Sequence, residues 1–248
     1  KVFGTLDKPY KKFSKRFLQT PAMESGLCAI LSGAAINGMK PLFVTNRCDF
    51  LLYAFDIIVN VIDKWKYMYD GKQGNCPIII SAVIGRGWGQ GPTHSQSFHN
   101  FFSRLTGIDV FLPTFPSDII GTYNYAFKSN RPSIILLHRS LFNLKEVEKK
   151  IWKFGKARIV NKGSDILIIS NSFTTIQSLR VAKEIESKFN KKITILDITT
   201  TNPLDEKTIL KHAKTHNNII LIDIDHVKFG ILSEIHSLIS SKYPKKKV

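Results

Sequence analysis

The sequence predicts an α/β fold with a mainly parallel sheet, followed by a second, smaller α/β domain. Short, continuously apolar segments such as CPIIISAVIG and SIILLHR alternate with longer stretches of helical periodicity. Strands with this pattern are buried on both faces, as in a parallel sheet that helices cover on each side. The alternation breaks between residues 140 and 162, where the sequence is charged and aperiodic, and it resumes at DILIIS. We therefore predict a first domain over residues 1–139, a connecting segment over 140–162 and a second domain over 163–248.

Apolar spacing defines the elements of the predicted first domain. In SGLCAILSGAAINGMK, apolar residues recur at helical intervals from Leu27 to Ala35, and Gly38 is suited to close the helix. The stretch FLLYAFDIIVNVIDKWKYM predicts one helix of about five turns, whose apolar sides are buried or lie in a subunit interface. The predicted strands are PLFVT, CPIIISAVIG, GIDVFLPTF and SIILLHR, with a helix over PSDIIGTYNYAFKS before the last of them.

The predicted second domain repeats the alternation of strand and helix. The strand DILIIS precedes an amphipathic helix whose apolar face begins at Ile176 and ends at Phe189. The strand KKITILDI, the helix DEKTILKHAK, the strand NNIILIDI and the helix ILSEIHSLIS follow in that order. These elements complete a second α/β unit.

Composition limits the classes of protein that this chain can represent. It has 248 residues, of which 43% are apolar, enough for a large hydrophobic core. No apolar run approaches the roughly 20 residues of a membrane-spanning helix, so no membrane partner is expected. The three cysteines, Cys28, Cys48 and Cys76, are odd in number and widely spaced, which fits neither a disulfide framework nor a zinc site. We expect a reducing compartment, either the cytoplasm or an organellar matrix or stroma, and no secretion.

The formal net charge of +17 raises the question of nucleic-acid binding. The lysines are spread through KKFSKR, KEVEKKIWKFGKAR, KFNKK and YPKKKV, without an aromatic platform or a known binding motif. This distribution favours a solvated basic surface over a nucleic-acid site. We expect no nucleic-acid partner.

The stretch GRGWGQGPTHSQSFHNFF, residues 85–102, is the strongest local signal in the chain. A phosphate-binding loop would need a lysine followed by serine or threonine after its last glycine, and none is present. The dinucleotide-binding fingerprint would place its third glycine at position 90, where this chain has Gln90. What remains is a glycine-rich turn at the end of a buried strand, where open sheets place ligand sites. His94 in this turn is either catalytic or a structural or solvated loop histidine, and its surroundings in the sequence leave both open.

Two other residues have a structural and a functional interpretation. Glu24 stands at the start of a predicted helix, where a carboxylate stabilises the helix dipole, but it could also share a proton with a basic heteroatom in a pocket. Phe50 is most simply a core residue, and stacking on a ligand is the alternative. The remaining histidines show no metal-ligand spacing, so no metal site is predicted on this chain.

Eight segments follow one another along the chain and together span nearly all of it: RFLQTPAMESG, GAAINGMKPLFV, DFLLYAFDIIVN, KWKYMYDGKQGNCPIII, GQGPTHSQSF, GIDVFLPTFPSDIIG, RPSIILLHR and ILDITTTNPLD. In this order they resemble the beta subunit of the thiamine-diphosphate-dependent component of 2-oxoacid (pyruvate or branched-chain) dehydrogenase complexes. The resemblance implies a transketolase-like pyrimidine-binding domain followed by a transketolase C-terminal-type domain, which agrees with the fold class predicted above. It also implies that elements found at both ends of the family are missing from this sequence.

The resemblance implies roles for four residues at matching positions. Glu24 corresponds to the glutamate that hydrogen-bonds the aminopyrimidine ring of thiamine diphosphate and promotes its reactive tautomer. Phe50 corresponds to the aromatic residue that lies against the pyrimidine ring. Ala22 stands where the family has a larger aliphatic residue against the cofactor, and His94 matches the active-site histidine near the substrate and the incoming lipoyl group.

The diphosphate half of the cofactor implies a partner chain. In the family, a Gly-Asp-Gly segment with a downstream asparagine holds the diphosphate through magnesium, and no such segment occurs in this sequence. Its nearest match is Asp70-Gly71, which follows Tyr69. The resemblance therefore implies that an alpha subunit binds diphosphate and magnesium in an alpha2beta2 assembly, with a lipoyl acyltransferase core as a further partner.

The implied activity is oxidative decarboxylation of pyruvate or a related 2-oxo acid, with transfer of the acyl group to lipoyl and only in complex with the alpha subunit. Two alternatives remain at this point. One is the C-terminal half of a split transketolase or of a deoxyxylulose-phosphate-synthase-like enzyme. The other is a non-catalytic partner subunit whose cofactor-contacting residues are relics.

Overall fold

A computed structural model describes residues 6–145 and 152–248. Its α-helices are α1 (Asp7–Phe13), α2 (Glu24–Ile36), α3 (Trp65–Met68), α4 (His99–Ser103), α5 (Pro116–Lys128), α6 (Ser172–Phe189), α7 (Glu206–Thr215) and α8 (Ile231–Lys242). Its strands are β1 (Leu42–Thr45), β2 (Ile79–Ile84), β3 (Asp109–Phe111), β4 (Ser133–His138), β5 (Arg158–Asn161), β6 (Ile166–Ser170), β7 (Ile193–Asp197), β8 (Thr200–Asn202) and β9 (Asn218–Ile222). Short 3₁₀ segments cover Ser14–Arg16, Cys48–Ala54, Pro92–His94 and Arg139–Leu141, and a π-helix covers Ile57–Ile62.

The first sheet has the strand order β1-β2-β4-β3-β8. Its first four strands are parallel, which confirms the predicted mainly parallel sheet. Every residue of β2 is buried, because apolar groups cover both faces of the sheet. One face packs against α2 and the segment 48–62, and the other packs Ile79, Phe111 and Ile135 against Ala126 of α5.

The edge strand β8 joins the two halves of the chain. It comes after β7 in the sequence, yet it pairs antiparallel with β3 of the first sheet, with Asn202 opposite Val110. The Asn202 side-chain amide donates to the carbonyls of Leu105 and Ile108, at 2.6 and 2.7 Å. The second half of the chain therefore completes the sheet of the first half.

The second sheet has the strand order β5-β7-β6-β9. Strands β6, β7 and β9 are parallel, whereas β5 is an antiparallel edge strand. β5 lies inside the stretch 140–162 that the sequence predicts to be a connecting segment, of which residues 146–151 lie outside the described residues. The pattern does not predict this strand because all four of its residues are half-buried and show no alternation.

The single helix predicted over residues 50–68 is wrong. The chain there forms the 3₁₀ segment Cys48–Ala54, then the π-helix Ile57–Ile62, then the short helix α3. Its buried apolar residues, Leu51, Ala54, Ile58 and Ile62, are spaced by three, four and four, so one side faces the core throughout despite the changes of helical pitch. The run is rich in β-branched side chains, which lowers its preference for a regular α-helix. The expected burial of an apolar face is nevertheless observed.

A buried ionic network joins the two sheets. The Arg158 guanidinium donates to Asp118 of α5 at 2.6 Å and to Asp197 of β7 at 3.2 Å. Thr114 and Thr175 also donate to Asp197, at 2.8 and 2.7 Å. Burial raises the pKa of Asp197 to about 6, against the opposing effect of Arg158. Carboxylates buried this deeply need such partners, so the network ties the packing of the two halves to one arginine.

Across the described ranges 6–145 and 152–248, no helix has the length and apolar character that crossing a lipid bilayer requires.

Candidate active site

The carboxyl ends of the parallel strands β1, β2 and β4 gather polar and aromatic residues at one edge of the first sheet. At the end of β2, Gly85 has a φ of +109°, and a Cβ there would lie 2.4 Å from the His138 imidazole at the end of β4. Only glycine allows the turn and the ring to come this close. The His138 Nδ1 accepts from the Ser140 N–H, and its ring stacks on Phe173 at 4.5 Å between centroids. Burial lowers the pKa of His138 to about 4, so this histidine is neutral near pH 7.

The segment from residue 85 to residue 98, called the His94 loop below, leaves β2 and leads into α4. Gly91, with a φ of +79°, begins the 3₁₀ segment Pro92–His94 that presents His94. The His94 ring meets the Phe50 ring edge to face, with 5.4 Å between their centroids and 87° between their planes. Both side chains are half-buried. The structure thus brings together two of the predicted site residues.

The His94 loop is attached to the 3₁₀ segment Cys48–Ala54 by side chains that the sequence patterns do not single out. Gln96 donates from Nε2 to the buried Asp49 carboxylate at 3.0 Å, and Cys48 donates from Sγ to the Gln96 carbonyl at 3.1 Å. Desolvation by burial raises the pKa of the Cys48 thiol to about 12, so the sulfur keeps its proton. Arg47 hydrogen-bonds Gln90 at the other end of the loop. The sequence signal that could have identified this attachment is the charged pair Arg47 and Asp49 in NRCDF. This pair lies next to a stretch that is predicted to be buried.

A cationic and aromatic cluster lies beside this attachment. The guanidinium carbons of Arg47 and Arg139 stand 4.7 and 5.0 Å from the centre of the Trp88 ring. Arg47 is almost fully buried, and desolvation followed by the charge of Arg139 lowers its pKa. Cation–π contacts of this kind are stronger when they are shielded from water. They hold the glycine-rich half of the His94 loop over the end of the sheet.

Glu24 lies at the first position of α2, in an open groove of about 310 Å³. The groove also contains Ala22, Met23, Ser25, Gly26 and Tyr53. The Glu24 carboxylate is half-buried, and it has no hydrogen bond or ion pair within the part of the chain that the structure describes. Met23 and Tyr53 are 48% and 72% exposed, so the rim of the groove is apolar and open. Ala22 and Glu24, both predicted site residues, share this groove.

The 3₁₀ segment Cys48–Ala54 connects the groove with the histidine. It directs Phe50 towards His94 and Tyr53 towards the groove of Glu24. A carboxylate acceptor, an aromatic ring and a histidine therefore surround one short element. This donor and acceptor set fits a flat aromatic heterocycle that carries a basic ring nitrogen. Within residues 6–145 and 152–248, no three His, Cys, Asp or Glu side chains cluster as metal ligands.

Two protein-family models match the chain, one in each half. Residues 2–145 match the transketolase pyrimidine-binding domain, and residues 155–248 match the transketolase C-terminal domain. The chain belongs to the transketolase family. This result confirms the resemblance drawn from the eight segments, and it confirms the predicted fold class. Membership in the family implies thiamine diphosphate as the cofactor.

Relatives with named activities cover nearly the whole chain. The beta subunit of the acetoin:2,6-dichlorophenolindophenol oxidoreductase of Cupriavidus necator is 30% identical over 97% of this chain and 72% of its own length. The 2-oxoisovalerate dehydrogenase subunit beta of Bacillus subtilis is 28% identical over 96% of this chain and 74% of its own. The pyruvate dehydrogenase E1 component subunit beta of Rickettsia felis is 29% identical over 91% and 69%. The relatives are thus beta subunits of thiamine-dependent oxidoreductases, as predicted.

A solved structure shares the fold. It is described as a split-gene transketolase in an inactive beta4 tetramer, and it superposes with a TM-score of 0.82 at 22% identity. The match covers 97% of this chain and 76% of that one. At this identity the likeness concerns the fold, and the named relatives do not favour the split-transketolase alternative. The comparisons leave the roles of Glu24, Phe50, Ala22 and His94 as predictions.

Proposed function

We propose that this chain is the beta subunit of a thiamine-diphosphate-dependent 2-oxoacid dehydrogenase and binds the pyrimidine half of the cofactor. The observation that carries the proposal is the position of the 3₁₀ segment Cys48–Ala54, which joins the Glu24 groove to the Phe50–His94 contact. The family assignment and the beta-subunit relatives support it independently. When bound, thiamine diphosphate supplies the nucleophilic carbon and the electron sink for decarboxylation of the 2-oxo acid.

Glu24 would hold a proton at the pyrimidine ring nitrogen. Its carboxylate has no competing partner in the described ranges and faces an open groove. Glu24 lies at the first position of α2, where the N-terminal backbone N–H groups of the helix carry a partial positive charge. Met23 and Tyr53, which the ligand would cover, would then exclude water from the shared proton. A small residue at Ala22 leaves room on the same side of the groove.

Phe50 and His94, whose rings are in contact, would have different roles: Phe50 at the cofactor and His94 at the substrate. Phe50 would pack against the pyrimidine ring while its edge-to-face contact holds the His94 imidazole in one orientation. The His94 Nδ1 lies 3.1 Å from the Thr93 hydroxyl, which leaves Nε2 available to donate or accept a proton at the substrate. His94 would thereby orient the 2-oxo acid and the incoming acyl acceptor.

The partner chain follows from what this chain lacks in sequence. No Gly-Asp-Gly segment is present, so an alpha subunit would hold the diphosphate through magnesium in an alpha2beta2 assembly. A lipoyl acyltransferase core would accept the acyl group. We retain the predicted domains 1–139 and 163–248 with the connecting segment 140–162, and the cytoplasm or an organellar matrix or stroma as the compartment. The yeast pyruvate dehydrogenase relative is named as mitochondrial.

Substitution of Glu24 tests the proposal directly. In a complex of this chain with its alpha-type partner, Glu24→Gln should lower 2-oxo acid decarboxylation at least about 100-fold, because the amide cannot share the ring proton. Glu206→Gln is the matched control, since Glu206 also occupies the first position of a helix but is exposed. Turnover of pyruvate, branched-chain and longer 2-oxo acids would be measured with thiamine diphosphate and magnesium. Undiminished turnover in the Glu24 variant would overturn the assignment.

Acetoin is a second candidate substrate. Relatives from two organisms are beta subunits of acetoin:2,6-dichlorophenolindophenol oxidoreductases, at 30% and 28% identity. Cleavage of acetoin would use the same Glu24 groove, because the same cofactor attacks a carbonyl carbon in both reactions. Reduction of the dye with acetoin, compared with that for each 2-oxo acid, decides between the two substrates.

A further inference from the structure

A histidine that the proposed function does not use lies five residues beyond His94. His99 begins α4, and its side chain is fully buried. Its Nε2 is 2.7 Å from the Asp223 carboxylate, and its Nδ1 is 3.7 Å from that of Asp225. Both aspartates follow β9 at the carboxyl end of the second sheet. A buried histidine of the first sheet's half therefore stands between two carboxylates of the second.

One imidazole faces two carboxylates in this cluster. Burial alone would lower the pKa of His99, but Asp223 and then Asp225 outweigh it, so the pKa of His99 is raised. Burial would raise the pKa of Asp223, but the charge and hydrogen bond of His99 outweigh it, so the pKa of Asp223 is lowered. His99 and Asp223 therefore form a hydrogen-bonded ion pair that is shielded from water.

Asn100, the next residue of α4, makes further contacts with the segment that follows β9. The Asn100 Oδ1 accepts from the N–H of Ile231, the first residue of α8, at 2.8 Å, and its Nδ2 donates to the His226 carbonyl at 3.2 Å. Asn100 thus satisfies a free N–H at the start of a helix in the other half of the molecule. A Cβ on Gly230 would lie 2.7 Å from the Asn100 amide, so the fit is close. Two consecutive residues of α4 hold residues 223–231.

The residues that α4 holds and the segment that directly follows His94 line the same cavity. This cavity of about 120 Å³ is lined by Arg86, by residues 95–98 and by residues 224–226. On its other flank, the same segment is bound to Asp49 through Gln96. The His94 loop is therefore fixed from two directions, by Asp49 within its own half and by the second sheet through α4.

We propose that His99 is a positioning residue for His94: its contact with Asp223 and Asp225 lets the second domain hold the His94 loop in its working position. What His94 does there rests on the proposed function, whereas the coupling of His99 to His94 does not. Loss of the contact between His99 and the two aspartates would free the C-terminal end of the His94 loop. It would leave the Glu24 groove intact, because Glu24 belongs to α2. The defect should therefore concern the reaction step more than cofactor binding.

The test uses His99→Gln and Asp223→Asn in the full chain, each alone and combined. His216→Gln is the matched control, because His216 is also buried and hydrogen-bonded, to Thr194 and the His212 carbonyl, within the second sheet's half. The first readout needs no activity: the pH titration of the His94 ring by NMR of histidine-labelled chain. We expect the His94 titration midpoint or line width to change in His99→Gln and Asp223→Asn but not in the control.

The second readout is kinetic, in the complex with the alpha-type chain. His99→Gln should lower kcat about 10- to 100-fold, the size of effect that a misplaced reactive group produces. The thiamine diphosphate concentration for half-maximal rate should stay within about twofold of the wild type. The combined variant should lose no more than the worse single one, because both changes break one contact.

Each outcome decides a separate question. An unchanged His94 titration in His99→Gln, or an equal change in His216→Gln, overturns the positioning role. If the wild-type complex turns over no 2-oxo acid, the proposed function fails while the titration still decides the role of His99. Should His99→Gln not fold, Asp225→Asn, which alters the longer contact, must still change the His94 titration midpoint or line width by more than His216→Gln does.

Discussion

The carboxyl edges of the two sheets carry similar residues but use them differently. In the second sheet, polar groups at the ends of three strands make bonds to the first sheet's half: Ser172 donates to the Pro113 carbonyl, Asp197 accepts from Thr114, and Asp223 contacts His99. All are shielded from solvent. At the first sheet's edge, Phe50, His94 and Glu24 remain half-buried beside open space. Parallel sheets offer such edges to ligands, and among the described residues the first sheet leaves its edge more open than the second.

This contrast assigns the open edge to the first sheet and a packing role to the second. Two carboxylates at the carboxyl end of the second sheet, Asp197 and Asp223, pair with Arg158 and His99. Its contribution is to hold elements of the first half in place. Three experiments test the contrast, beginning with the one that should have the largest effect.

Arg158→Met should destabilise the chain most. It leaves Asp118 and Asp197 buried without their shared cation, and breaking a buried pair in this way costs about 3–5 kcal/mol of unfolding free energy. Urea unfolding followed by circular dichroism would measure the change. Arg180→Met, on the exposed side of α6, is the control and should change the free energy by less than about 0.5 kcal/mol. Equal losses of unfolding free energy in the two variants would show that the polar groups at the edge of the second sheet do not stabilise its packing against the first sheet's half.

His138 should make stability depend on pH at the first edge. Its pKa is about 4 in the folded chain, below the ordinary value of 6.5, so between these values the unfolded chain binds a proton that the folded chain does not. Stability is therefore lost as pH falls from 6.5 to 4, by about 3 kcal/mol in total. Asp197, with a pKa of about 6, opposes part of this loss, because the folded chain takes up its proton first.

His138→Asn isolates that contribution. The asparagine Oδ1 can still accept from the Ser140 N–H, but it does not titrate, so the variant should lose the His138 part of the pH dependence and keep that of Asp197. Unfolding free energies at several pH values between 4 and 7 would measure it. The exposed His236→Asn is the control. A variant with the same pH slope as the wild type would contradict the assignment.

The bond between Asp49 and Gln96 should give the smallest effect. A double-mutant cycle with Asp49→Asn and Gln96→Ala should show a coupling of about 1.5 kcal/mol, typical of a shielded hydrogen bond to a charged acceptor. The matched pair is Asp56 and Asn60, which bond at 2.6 Å on the exposed side of the adjoining segment. Its coupling should be near zero, since water competes for both groups. Similar couplings would mean that the His94 loop is not held from its own half.

The sequence predicts much of the fold and part of the site. Strands β2, β3, β4, β6 and β7 stand out because burial on both faces demands continuous apolar runs. The groove of Glu24 and the contact of Phe50 with His94 involve residues that the family resemblance singled out. Strand β5 could not be predicted because its half-buried residues show no alternation, and the change of helical pitch after Cys48 could not because the buried residues keep the spacing of a regular helix.

Sequence by itself therefore determined the α/β class, the order of the main elements and the glycine turn that carries His94. The tertiary structure alone decided that β8 enters the first sheet and that His99 meets Asp223, 124 residues further along the chain. The same holds for Arg158 between Asp118 and Asp197. Apolar periodicity reports which side of an element is buried. It does not report which distant polar group will neutralise a buried charge, because that partner is chosen by how the two sheets pack.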